Sequence, residues 1–182
     1  MKKTVLVLGA VLALTGCSAG QEPHGGDHPA ASSSADTAHN PADVAFARDM
    51  ITHHRQALEM SALAATKASG QRVKDLAARI ERAQAPEIEQ MTRWLGEWGQ
   101  SAGPGHGAHG TMTDDEMVAL AGASGQEFDR MFLEMMIRHH EGAVTMAKDA
   151  KAKASDQRVR DLADAVITAQ EAEIAEMRAL LA

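Results

Sequence analysis

Cysteine is almost absent from this chain: Cys17 is the only one among 182 residues. A single thiol cannot close an internal disulfide, and it cannot build an iron–sulfur cluster or a Cys-type zinc site. Tyrosine is missing altogether, and three Phe with two Trp bring the aromatics to 3%. With so few stacking platforms and a formal charge of −7, nucleic acid is excluded as a partner. Ser-His-Asp and glycine-rich phosphate motifs are not evident, so hydrolase and nucleotide roles rank low.

Apolar runs are short as well. The longest opens the chain, in "MKKTVLVLGAVLALTGC": two lysines, an apolar stretch too brief to remain as a membrane span, then Leu14-Thr15-Gly16-Cys17. That is the layout of a bacterial lipoprotein signal over residues 1–17. Cleavage before Cys17 leaves a lipidated N-terminus, so the mature protein is expected outside the cytoplasm, held to a membrane by Cys17. Loss of Lys2 and Lys3 makes the mature chain more acidic still. Residues 18–40 are rich in Gly, Ala, Ser and Pro without apolar periodicity and predict a flexible tether carrying His24, His28 and His39.

What the chain has in abundance is methionine, 11 residues, and a pattern that occurs twice. "MITHHRQALEM" spans 50–60 and "MIRHHEGAVTM" spans 136–146. Offsetting the chain by 86 residues aligns 42–96 with 128–182 without a gap, with 24 identities in 55 pairs. That density implies an internal duplication. In the first copy Phe46, Met50, His53, Ala57, Met60 and Ala64 step by three and four and form one stripe of a helix. After a break near Ser69-Gly70, Val73, Ala77, Ile80, Gln84, Ile88, Met91 and Leu95 form a second stripe. Each copy is therefore a helical hairpin, and two hairpins bury their stripes most simply as an all-α, antiparallel four-helix bundle over residues 41–182.

Asn40, Pro41 and Asp43 mark the start of the first helix. Ser124 with Glu127 predicts a capping box for the second copy's long helix, and Ser155 a cap after its turn. Thr113 and Glu116 predict a short capped helix over 113–121. The Gly/His-rich linker 97–112 is expected to cross the bundle end as a mobile loop, and Pro86 to kink its helix.

Counting back from the turn near residues 69 and 70 sets Gln84 and Glu87 opposite His53 and His54, and Met91 near Met50. Gln170, Glu173 and Met177 stand in the same relation to His139, His140 and Met136. One layer can then collect His, Met and carboxylate from four helices. His53 and His139 face inward by the stripe, and their neighbours point about 100° away. Met50 lies about 4.5 Å along the axis from His53 and can converge with it; Met60, about 10.5 Å away, cannot easily do so. Thioether sulfur with imidazole suits copper, above all Cu(I), and not calcium or magnesium. A ferritin-like di-iron site is the competitor, but it needs Glu-x-x-His pairs, and the chain contains none.

The twin M-I-x-H-H-x-x-A-x-x-M segments, each followed by Q-R-V-[KR]-D-L-A and Q-x-x-E-I-x-x-M, resemble the bacterial family called domain of unknown function 305. The resemblance spans 42–182. It implies a ferritin-like four-helix bundle, secreted or lipid-anchored, with some relatives being periplasmic copper-binding proteins linked to copper tolerance. Carried over, Met50, His53, His54, Met60, Met136, His139, His140 and Met146 become the candidate ligands. Gln84, Glu87, Met91, Gln170, Glu173 and Met177 are further ligands or their supports. The expected function is copper buffering or chaperoning without turnover, with a copper-transport protein as candidate partner. The alternatives are an iron- or other metal-dependent oxidoreductase and a structural or partner-binding bundle.

Overall fold

The computed structural model describes residues 39–103, 105 and 109–182. The expected signal, Cys17, and the tether's His24 and His28 lie outside the described residues. Five helices follow in order: α1 (Pro41–Lys67), α2 (Gln71–Glu97), α3 (Asp114–Gly122), α4 (Gly125–Lys153) and α5 (Gln157–Leu181). The described residues form no strand, only an isolated bridge between Ala68 and Gly125. None of the described helices is long and apolar enough to cross a membrane.

α1 begins where its sequence says it should. The Asn40 side chain accepts from the amides of Ala42 and Asp43, and the Asn40 amide donates back to Asp43 at 2.6 Å. A reciprocal box also forms between Thr113 and Glu116 at the head of α3. The other two expected caps do not form. Ser124 makes no side-chain bond at the start of α4, because the chain enters that helix through Gly125 at φ +65°. The cap of α5 is Asp156, which accepts from the Arg158 amide, while Ser155 turns away to donate to Asp43 at 2.9 Å. His39, expected in the tether, is stacked on Trp98 at 5.1 Å between ring centroids.

α1 packs along α2, α4 packs along α5, and the two hairpins meet chiefly through α1 and α4. Two aspartates lock them crosswise. Asp43, fully buried at the head of α1, accepts from Ser155 and Asp156 in the turn of the second hairpin. Asp129, near the head of α4, accepts from Ser69 and Gly70 in the turn of the first. Positions 43 and 129, and 69 and 155, are each 86 apart. At the outer edges Arg79–Glu176 and Arg158–Glu97 link α2 to α5. Such exposed pairs contribute at most about 1 kcal/mol each, so the joint rests on what is buried between the hairpins.

The buried apolar residues divide into two clusters. One contains Met60, Ile80, Phe128, Phe132, Met136 and Met177; the other contains Phe46, Met50, Met91, Trp94, Leu95 and Met146. Between them lies a polar layer. α2 continues as helix through Pro86, which is exposed.

The connection from α2 to α3 does not keep to the bundle end. It runs along the α1/α4 face: the Gly105 amide donates to Thr52 at 3.2 Å, and Met112 is clamped by Gln56, which both accepts from its amide at 2.7 Å and donates to its carbonyl at 2.8 Å. The approach is close enough that a Cβ on Gly142 would lie 1.9 Å from the His109 carbonyl oxygen. Arg48 ties the preceding residues by donating to Gln100 and Ser101. The described residues of the connection, bonded in this way, form a strap against α1 and α4.

Candidate metal centre

The stripes of α1 and α4 cross at the histidines. His53, His54, His139 and His140 are all fully buried. The rings of His53 and His139 face each other with centroids 3.6 Å apart and planes tilted by 35°. Their neighbours point outward from this centre, each 6.3 Å from the adjacent ring, into the interfaces with the second helix of each hairpin. There His54 Nε2 meets Glu87 Oε2 at 2.7 Å, and His140 Nε2 meets Glu173 Oε2 at 2.7 Å. Each contact joins residues 33 apart, and the two contacts are related by the 86-residue offset.

The inner pair is left without partners. Both nitrogens of His53 and of His139, and the Nδ1 atoms of His54 and His140, have no hydrogen bond; the same holds for both polar atoms of Gln84 and for the Gln170 carbonyl. Buried polar atoms are normally paired, and each unpaired one costs about 1–3 kcal/mol. A layer with this many orphans is therefore expensive as mere core. Filled lone pairs in a dry interior are, in contrast, what a metal ion requires of its ligands.

Burial also sets the protonation state. Desolvation, reinforced by the neighbouring His54 and His140, lowers the pKa of His53 from 6.5 to about 3. Backbone at His109 and His139 acts weakly the other way, at a geometry short of a hydrogen bond. His139 is also lowered well below its ordinary value, by desolvation first and then by His53, His140 and His54. Both rings are therefore neutral at physiological pH, the form that binds metal without first losing a proton.

Methionine closes the layer from both sides. Met50, Met91 and Met146 belong to one adjoining apolar cluster and Met60, Met136 and Met177 to the other. Four of the six sit about one turn from the histidines: the contacts 54–87 and 140–173 place Met50 opposite Met91 and Met136 opposite Met177. Glu87 and Glu173 are only partly buried and are engaged by histidine. Among the described residues no three His, Cys, Asp or Glu side chains converge as a metal cluster.

Two features of the site escaped the sequence reading. The strap places the His109 backbone beside His53, and Gly142 makes room for it. Their signal was a break in the repeat: position 142 matches position 56, and the two copies carry Gly142 and Gln56. One leaves space for the strap and the other clamps it.

Comparison with known proteins identifies the family to which the chain is similar. The family model described as Domain of unknown function (DUF305) matches residues 43–181, and the prokaryotic membrane lipoprotein lipid attachment site matches residues 1–18. A solved DUF305 protein from Streptomyces coelicolor is 34% identical, covering 77% of this chain and 91% of its own, with a TM-score of 0.74. A DUF305 fragment from Deinococcus radiodurans is 31% identical over 78% and 96%, with a TM-score of 0.73. CopM in its Cu(I)-bound form is 34% identical over 76% and 94%, with a TM-score of 0.67; it has also been solved with Cu(II), with Ag and in the apo form. No curated protein matches the chain in a sequence search.

Proposed function

We propose that this chain, which belongs to the DUF305 family, is a lipid-anchored extracytoplasmic protein that binds copper, chiefly Cu(I), and buffers it or hands it on. The observation that carries the reading is the His53/His139 pair: two neutral rings in contact, fully buried, with four unpartnered nitrogens, between layers of buried methionine. In this reading the four long helices form a ferritin-like bundle. His53 and His139 are the central ligands, with Met50, Met91, Met136 and Met177 supplying thioether sulfur. His54 and His140, oriented by Glu87 and Glu173, offer Nδ1, while Met60, Met146, Gln84 and Gln170 line the layer.

Uncharged N and S donors favour a monovalent soft ion, because no ligand deprotonates to balance a higher charge. That CopM binds Cu(I), Cu(II) and Ag supports the same class of ion. Lipidation at Cys17, supported by the attachment-site match, would keep the protein at a membrane surface, where hand-over to a copper-transport protein is feasible. An oxidoreductase that cycles the metal remains the second reading, distinguished by steady oxygen uptake. For di-iron chemistry the carboxylates are poorly placed, since Glu87 and Glu173 are bound to histidine.

The test is Cu(I) titration under a competing chelator. The His53→Ala/His139→Ala variant should lose tight binding, whereas replacing His24, His28 and His39, which in this reading only help the N-terminal segment to catch metal ions, should leave tight binding in place. Binding by the double variant as tight as that of the parent would defeat the assignment.

A further inference from the structure

His53 and His139 are fully buried, so an ion reaches them only if part of the protein moves. Most of the cover is made by the long helices and their side chains. The His54–Glu87 contact closes the α1/α2 seam and the His140–Glu173 contact closes the α4/α5 seam. On α2 and α5 the side chains of Gln84 and Gln170 are buried as well. The side between α1 and α4 is different, because the strap lies across it.

α1 and α4 run antiparallel: Asp43 at the head of α1 bonds to Ser155 just past the end of α4, and Asp129 near the head of α4 bonds to Ser69 just past the end of α1. Gln56, three residues after His53, and Gly142, three after His139, therefore lie on opposite sides of the histidine pair, about 9 Å apart along the axis. The strap is fixed at both. At one end the His109 carbonyl and Gly110 Cα fill the space of the missing Gly142 side chain, and a Cβ on Gly110, whose φ is +78°, would lie 2.5 Å from the Arg138 carbonyl oxygen. At the other end Gln56 holds the Met112 amide and carbonyl, and Arg138 donates to Met112 Sδ at 3.2 Å. Three residue steps of extended chain span about 10 Å, so residues 109–112 pass across the level of the pair, with the His109 backbone beside His53.

An open groove between α1 and α4 leads up to this crossing. Asp49, Thr145, Met146, Asp149 and Lys153 line it with His109, and Lys153 is paired with Asp149. Asp49 is one turn before His53, and Gly142 stands between Thr145 and His139. The strap thus separates a groove lined by carboxylate, thioether and imidazole from the buried pair.

We propose that residues 109–112 are a gate over the histidine layer, and that a soft cation of the Cu(I) class enters and leaves along the α1/α4 groove when they lift. The proposal rests on the layer being the metal site. The strap is the part suited to moving: it has no regular secondary structure and is held by two hydrogen bonds to one glutamine and by close packing on a glycine, whereas entry elsewhere requires long helices to part. A gate changes the rates of entry and exit by the same factor and leaves the affinity to the ligands.

The test compares the whole parent protein with Gln56→Ala and Gly142→Ala, which loosen the strap from α1 and from α4, and with Arg79→Ala, which frees the α2/α5 edge. One readout needs no metal: acylation of the His53 and His139 rings by diethyl pyrocarbonate, located by peptide mass spectrometry. The other is stopped-flow exchange of Cu(I) with a chromophoric chelator. Both loosened variants should label the two rings about tenfold faster, the change that losing one or two hydrogen bonds of ordinary net strength makes in a closed–open ratio. They should take up and release Cu(I) faster by the same factor with Kd unchanged, and Arg79→Ala should match the parent throughout. Amide exchange verifies that residues 109–112 have loosened while α1 and α4 have not. A loosened strap with ring labelling unchanged would overturn the gate whatever the metal does, as would acceleration by Arg79→Ala alone, which would put the entry between α2 and α5. Faster labelling in a protein that holds no Cu(I) at the layer would instead sink the metal assignment on which the proposal rests.

Discussion

His53 and His139, 86 residues apart in sequence, face each other with ring centroids 3.6 Å apart and no hydrogen bond on either ring. Two helices of separate hairpins thus meet through polar groups that no protein group satisfies, and stability should trade against binding there.

Replacing both rings with leucine removes four orphaned nitrogens and should stabilise the metal-free protein by about 1–3 kcal/mol per ring, less any packing mismatch. The same variant should show no rise in melting temperature with Cu(I), whereas the parent should gain stability with ligand concentration. Thermal melts with and without metal check both halves.

Stability of the metal-free protein should fall on acidification. His53 has a folded pKa of about 3 against an ordinary 6.5, and His139 is lowered as well. Between about pH 3 and 6.5 the unfolded chain therefore binds more protons than the folded one, and stability declines as pH drops, by up to about 1.4 kcal/mol per unit per ring. Urea midpoints at pH 7 and pH 5 measure the effect, which should flatten in the His53→Leu/His139→Leu variant. An identical pH dependence in that variant would show that other groups are responsible.

Asp43 and Asp129 staple the hairpins at opposite ends. Asp43→Ala leaves the buried Asp156 amide unpaired and should cost about 1–3 kcal/mol, more than Asp129→Ala, whose partners Ser69 and Gly70 reach solvent. Denaturant unfolding of the two single variants ranks them; a larger loss for Asp129→Ala would contradict the burial argument.

Gly142→Ala should push the strap off α4, because its Cβ would fall 1.9 Å from the His109 carbonyl oxygen. Faster amide exchange at residues 109–112, with α1 and α4 little changed, is the expected signature. Gln56→Ala should do the same by releasing Met112.

The helices and the inward face of His53 and His139 were legible because a stripe at steps of three and four has one geometric solution. Counting through the short turn at 69–70 was enough to bring Glu87 level with the first histidine pair, and the bond to His54 follows that register. Long-range features were not legible. Asp43 reads as a helix start, and nothing local reveals that it also caps a turn 112 residues away. Ser124 and Ser155 have the right chemistry for caps, but a left-handed Gly125 and the adjacent Asp156 displace them. The strap lacked any periodicity, so its path was set by contacts at Gln56 and Gly142 that the linker's own composition does not encode.

The most direct measurement is an anomalous difference map at the copper edge from crystals loaded with Cu(I). The account predicts a peak in the buried layer within bonding distance of His53 or His139 nitrogen and of a methionine sulfur. Copper confined to other positions, with no peak at the His53/His139 pair and its rings still in contact, would contradict it.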